Sequence, residues 1–237
     1  MASRETEREA ILEAVDRIAA RIESEKQHLA DLDSAIGDAD HGANLDRGFQ
    51  AVVEKIEQKD DAETQELVKT AGMALISKVG GASGPLYGGS CMHASQELED
   101  GITAETTVAF AEAYLEKLRD RGGAEVGDKT MVDALTPAVH TYKKSIEVDE
   151  LPPLEALAKA VDAAERGVEF TVPLKAAKGR ASYLGWRSVG HQDPGATSTL
   201  LILEELLATA QVYLDGNVDV TAASPTIPDE DVENQGE

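Results

Sequence analysis

Residues 11–56 read ILEAVDRIAARIESEKQHLADLDSAIGDADHGANLDRGFQAVVEKI, and this stretch decides the fold. Ile11, Val15, Ile18 and Ile22 recur at helical spacing, and so do Leu45, Phe49, Val52 and Ile56. Between the two patterns lies DSAIGDADHGAN, residues 33–44, with Asp33, Asp38, Asp40, His41 and Asn44 bracketing Gly37 and Gly42. Two amphipathic helices joined by so short a turn pack side by side and antiparallel.

Outward from this pair the rhythm repeats. Leu67, Ala71, Ala74 and the run 76–79 mark a third helix, and residues 91–98 a fourth. Val108, Ala111, Leu115 and Leu118 mark a fifth; Met131, Leu135, Val139, Tyr142 and Ile146 a sixth, with Pro137 inside it as a kink site. After Pro152 and Pro153 come Leu154, Leu157, Val161, Ala164 and Val168, and finally Leu200, Leu203, Leu207, Ala210 and Leu214. Between the last two helices, KGRASYLGWRSVGHQDPGATS (178–198) reads as a long functional loop. The expected fold is all-α, a single-domain closed antiparallel eight-helix bundle over residues 1–215. Residues 216–237 hold six acids and no lysine or arginine, and are expected to be an unstructured tail.

The 237 residues include 45 acidic and 22 basic side chains, a net charge of −23. Nucleic-acid binding, which needs a basic face, is excluded on that balance. Self-repulsion on this scale favours adaptation to concentrated salt over ordinary acidic solubility, because the Debye length shrinks to ~3 Å at molar ionic strength. One cysteine, Cys91, rules out an intrachain disulfide and reads as inert core. No apolar run approaches a membrane span and no signal core precedes the first helix, so the expected location is cytoplasmic.

Chemistry concentrates in a few places. Asp33, Asp38 and Asp40 brought together would repel unless a cation sat among them, and all-oxygen ligation suits Mg²⁺. A Ca²⁺ loop is the nearest rival, but Asn44 stands where an EF-hand needs its glutamate. A purely local reading also exists, with Asp33 ending one helix, Asp38 and Asp40 satisfying turn amides and Asn44 capping the next. GGASGP (80–85), with Ser83, offers freed backbone amides to phosphate oxygens, without being a Walker loop or a Rossmann fingerprint. In GDKTMVDALTP (127–137), Asp128 and Thr130 read as an ordinary helix start. The 178–198 loop carries Arg180, Arg187, His191 and Asp193, and arginines there suit phosphate recognition. His41 is placed to contact a phosphate or base edge, whereas His28, His93 and His140 carry no signal. Together these are the parts of a nucleotide site for phosphoryl transfer.

GDADHGANLDRGF, VGGASGPLYG, GDKTMVDALTP and KGRASYLGWRSVGHQDPGATS, in that order, resemble the nucleotide-binding L subunit of dihydroxyacetone kinases and the equivalent C-terminal domain of ATP-dependent single-chain kinases. The resemblance implies an eight-helix barrel holding ADP or ATP through Mg²⁺ on Asp33, Asp38 and Asp40. It implies nucleotide contacts from His41, Gly42, Ala43 and Asn44, from Ala82 and Ser83, from Gly122 and Met131, and from Arg180, Asp193, Pro194 and Gly195. Arg180 would also be catalytic. The absence of a substrate domain resembles the phosphotransferase-system form, whose partners are a dihydroxyacetone-binding K subunit and a phosphohistidine M subunit that recharges bound ADP. A homodimer is left open. Trp186 stands where the family often carries an acidic residue. Competing readings are an ATP-dependent kinase for another acceptor, such as a fatty acid on a binding protein; a non-catalytic nucleotide sensor that partners a transcription regulator; and a helical bundle with a structural Mg²⁺ or Ca²⁺.

Overall fold

A computed structural model describes residues 3–219, and among them every regular element is helical. The α-helices are α1 (Arg4–Ile36), α2 (His41–Glu57), α3 (Thr64–Lys78), α4 (Gly89–Ala94), α5 (Ala104–Gly122), α6 (Met131–Glu147), α7 (Pro153–Phe170) and α8 (Pro194–Tyr213). Short π and 3-10 segments, Gly84–Gly88 and Ser95–Leu98, flank α4, and a 3-10 segment, Arg180–Ser188, lies between α7 and α8.

Helix α1 shows how the pattern becomes structure. Ser3 caps it by accepting from the Thr6 amide, and Glu5 and Glu7 occupy the positive first turn. Its buried positions include Val15, Ile18, Ile22, Leu29, Asp33 and Ile36, a stripe of three-, four- and seven-residue steps. Asp33 therefore sits on the apolar stripe itself. Thr103 and Thr106 close a capping box on α5, and Gly123 ends that helix at φ +59, where a side chain would be strained. Thr130 and Asp133 close another on α6, and Pro137 lies within α6 without ending it.

Each helix packs on the next in chain order, α8 returns to α1, and α6 also packs on α8. The main core gathers Ile22, Leu29, Leu45, Phe49, Val52, Leu67, Leu118 and Val132. Small residues bring α6, α7 and α8 together through Ala134, Ala138, Ala160, Ala164 and Ala196. A β-carbon on Gly167 of α7 would overlap the Asp133 carbonyl oxygen, so that crossing requires glycine. The start of α1 meets the far ends of α2 and α8. Arg8 donates to the Lys59 carbonyl (3.4 Å), and the Tyr213 hydroxyl donates to Glu13 (3.0 Å).

Two sequence expectations change. Residues 194–198 belong to α8, not to the loop, because Asp193 accepts from the Ala196 amide and Pro194 fits a first helical position. The fourth helical region begins at Gly84, earlier than residue 91, since GPLYG is already a π-helical turn. Residues 216–219 have no regular structure, and the rest of the expected tail lies outside the described residues. No helix among the described residues is long and apolar enough to cross a membrane.

Candidate functional site

The acidic turn closes on itself. Asp33, in the last turn of α1, is buried, while Asp38 and Asp40 are exposed, and one carboxylate oxygen from each lies within 4.8 Å of the others. Asp33 Oδ2 accepts from the amides of Asp40 (2.9 Å) and His41 (3.2 Å) and so caps α2 from a neighbouring helix. Asn44, expected to be a cap in the local reading, lies within α2 and accepts from Arg47 (2.6 Å). Ala39 adopts φ +62, which turns the chain sharply enough to face Asp38 and Asp40 toward Asp33. Gly42 lets α2 approach α1, since a β-carbon there would overlap the Lys26 carbonyl oxygen. Three oxygen donors this close, two of them open to solvent, suit a hard divalent cation that keeps coordination positions for other oxygens.

Arg180 reaches the same cluster from the 3-10 segment, with Nη2 3.1 Å from Asp38 Oδ2. So exposed a pair contributes only ~0–1 kcal/mol to stability. Its value is placement, a guanidinium fork beside the carboxylates.

Behind the acids runs a buried hydrogen-bond chain. His41 Nε2 pairs with Ser198 Oγ (2.9 Å), and its Nδ1 lies 3.5 Å from Ser83 Oγ of the glycine turn. Ser198 also meets the Tyr87 hydroxyl (2.9 Å), which donates to the Gly195 carbonyl (3.0 Å) and touches Thr199 (2.9 Å). Burial pulls the His41 pKa down, with Asp33 and Asp40 opposing, and burial pushes the Tyr87 hydroxyl up to about 12. The chain thus ties α2, the glycine turn and the start of α8 together. Gly80 packs against Asn44, where a β-carbon would stand 2.7 Å from Oδ1, and Gly81 adopts φ +66.

The starts of α6 and α8 adjoin, with Met131 Cε 3.5 Å from where a Gly195 β-carbon would be. Asp193 caps α8 and is buried, which raises its carboxyl to about 7; nearby Asp133 adds to the rise, while the Ala196 amide and Lys129 oppose it. Lys129, 1% exposed, donates to the carbonyls of Thr171 (2.7 Å) and His191.

The structure therefore brings together Asp33, Asp38, Asp40 and Arg180 directly, and joins His41, Ser83 and Gly195 through the chain behind them, with Pro194 preceding Gly195 at the start of α8. Gly42 and Ala43 follow His41 in the first turn of α2. Gly122 ends α5 against Leu86, and exposed Ala82, inside the glycine turn, accepts from the Leu86 amide (3.1 Å), so both meet at Leu86. Sequence reading passed over Tyr87, Ser198, Thr171, Lys129 and Asp133. Only Asp133 carried a local signal, at the third position after Thr130 in a capping pattern. The Cys91 thiol donates to the Val68 carbonyl and burial pushes its pKa up to about 12, consistent with an inert residue. Tyr183 and Trp186 are exposed, with Lys175 5.2 Å over the indole. Two surface grooves, between α2 and α3 and between α5 and α6, lie away from the acids.

Residues 35–208 match the family model described as the DAK2 domain. The chain is 43% identical over 190 residues to the PEP-dependent dihydroxyacetone kinase, ADP-binding subunit DhaL, of Escherichia coli, covering 79% of this chain and 90% of that one. It is 42% identical over 190 residues to the PEP-dependent dihydroxyacetone kinase 1, ADP-binding subunit DhaL, of Listeria innocua, covering 80% and 90%. The crystal structure of the dihydroxyacetone kinase from C. freundii in complex with AMP-PNP and Mg²⁺ superposes with a TM-score of 0.65 at 26% identity, over 84% of this chain and 33% of that one.

Proposed function

Because the chain belongs to the DAK2-domain family, alongside the ADP-binding subunits of PEP-dependent dihydroxyacetone kinases, we propose that it carries ADP and ATP for phosphoryl transfer to dihydroxyacetone. A K subunit would present the dihydroxyacetone, and a phosphohistidine M subunit would recharge ADP in place. The ring of helices is read as the closed antiparallel eight-helix barrel of residues 1–215, with the nucleotide at the end where α1 finishes and α2, α6 and α8 begin. The acid excess belongs to the same proposal, as the surface of a protein built for concentrated salt.

One observation carries the reading: three carboxylates within 4.8 Å of one another, with Arg180 on Asp38, beside a glycine turn and the buried His41 chain. Asp33, Asp38 and Asp40 would hold Mg²⁺, which when bound offsets phosphate charge. Ser83 and the amides of the glycine turn would receive phosphate oxygens. Met131 and Gly122 would border the adenosine, and Asp193 to Gly195 would close that side. Arg180, largely exposed beside Asp38, would neutralise charge growing on the transferred group, a contribution of position and electrostatics. His41, whose pKa burial lowers, would hold Ser83 and Ser198 in place.

The test is to denature the purified protein, assay the supernatant for ADP, and then reconstitute with K and M partners and PEP. Stoichiometric ADP and PEP-dependent dihydroxyacetone phosphate are expected. Turnover with ATP but not with PEP would reassign the donor, and no product from either would remove the kinase assignment.

A further inference from the structure

The segment between α7 and α8 is a loop with a narrow neck. Its two ends meet where Gly190 N donates to the Val172 carbonyl (2.8 Å) and Asp193 N donates to Thr171 Oγ1 (3.0 Å). From that neck the chain runs out to Arg180, whose guanidinium lies on Asp38, and it is steadied midway by Ala177 N donating to the Asp128 carbonyl (3.0 Å).

Lys129 occupies the neck. Its ammonium donates to Thr171 O on the outgoing strand of chain and to His191 O on the returning one. It is 1% exposed, the largest side chain so fully enclosed among the described residues, and it adopts φ +63. A buried ammonium is costly unless its donors are matched, and here two carbonyls and the nearby carboxylates Asp193 and Asp133 supply the match. The left-handed backbone at Lys129 makes sense on the same terms, because the next residue, Thr130, must cap α6 while the side chain turns back into the neck.

We infer that Lys129 is a positioning residue: it clamps the neck of the 171–193 loop and thereby holds Arg180 over the acidic turn, slowing release of a bound nucleoside diphosphate. This rests on the nucleotide reading above for its effect on release, but the clamp itself does not. Lys129 acts through the backbone, since two of its three N–H donors are taken by the carbonyls of Thr171 and His191.

The experiment has two arms, with Lys129→Met and the milder Thr171→Val, which removes the hydroxyl that accepts from Asp193 while leaving the ammonium. In the nucleotide-free protein, hydrogen exchange at the amides of Gly190 and Asp193 should accelerate in both variants while α2 and α5 amides keep their protection. Unchanged exchange at the neck overturns the clamp. In the second arm, Mg²⁺ and a fluorescent ADP analogue are bound and chased with ADP. Losing a charged hydrogen-bond pair is worth roughly a ten- to hundredfold faster release for Lys129→Met, with less for Thr171→Val. In an Arg180→Ala background, Lys129→Met should add less than about twofold, because the two residues act through one loop. An equal acceleration with or without Arg180 would show that Lys129 only stabilises the fold and would overturn the inference. If the parent protein binds no analogue, the nucleotide reading falls, and the exchange arm still decides the clamp.

Discussion

Asp33 has two tasks that its neighbours do not share. It caps α2 through two amides and also offers an oxygen to the cluster, whereas the side chains of Asp38 and Asp40 join the cluster without capping α2. Asp33→Ala is therefore expected to cost about 0.5–2 kcal/mol in metal-free thermal unfolding, the scale of a lost cap. Asp38→Asn should leave unfolding unchanged yet weaken Mg-dependent nucleotide retention at least about tenfold, since even changes beyond direct ligands act on that scale. Wild-type retention in Asp38→Asn would sink the ligand assignment. Asp193 gives a pH signature. Its carboxyl is raised to about 7 when folded, so the native state holds the proton more tightly than the unfolded chain does. Between about pH 4 and 7 stability falls as pH rises, and above 7 the loss is complete. Asp193→Asn keeps a capping side chain and should gain stability relative to the parent across that window, levelling off above it; a difference flat with pH would refute the assignment. The grouping of Asp33, Asp38 and Asp40 was legible because the three lie within eight residues of sequence, whereas the contacts of Arg180 with Asp38 and of His41 with Ser198 join distant parts of the chain. Tyr87, Ser198 and Lys129 were not legible, because each acquires meaning from partners 40 to more than 100 residues away.

Helices were the most legible elements, since burial follows the 3.6-residue period through α1, α2 and α6. Their junctions were less so. The start of α8 was hidden inside a polar, glycine-bearing stretch, although Asp193-Pro194 is itself a cap followed by a first-turn proline. Close crossings were invisible, because a glycine in a helix looks the same whether it faces water or a backbone. Gly42 and Gly167 both face backbone carbonyls. Gly42→Ala should push α2 off α1 at the cost of ~1–3 kcal/mol, seen as a fall of about 2–12 °C in melting temperature. A variant as stable as the parent would mean the crossing has slack.

Over the whole molecule, 45 acids against 22 bases must coexist on one small surface. Ion pairs such as Lys26–Asp46, Lys143–Glu112 and Arg21–Glu25 are mostly exposed and offset little of that repulsion. Helicity should therefore fall on dialysis from molar salt into dilute buffer and return with salt; full helicity in dilute buffer would overturn salt adaptation. The all-α character was legible in outline from the helical periodicity, yet which end gathers the acid cluster was not, because that depends on where α1 stops. Along α1 one stripe runs from Val15 at the core to Asp33 at the acid cluster, a reach of roughly 27 Å at 1.5 Å per residue. The helix is thus a gauge with both length and phase fixed. One residue inserted after Leu29 would turn Asp33 and Ile36 by about 100°, leaving the stripe up to Leu29 seated and the carboxylate facing elsewhere. A whole extra heptad would restore the phase but carry Asp33 about 10 Å too far. Both insertions part the Asp33 carboxylate from the cluster, so the length of this stretch is itself a component of the site.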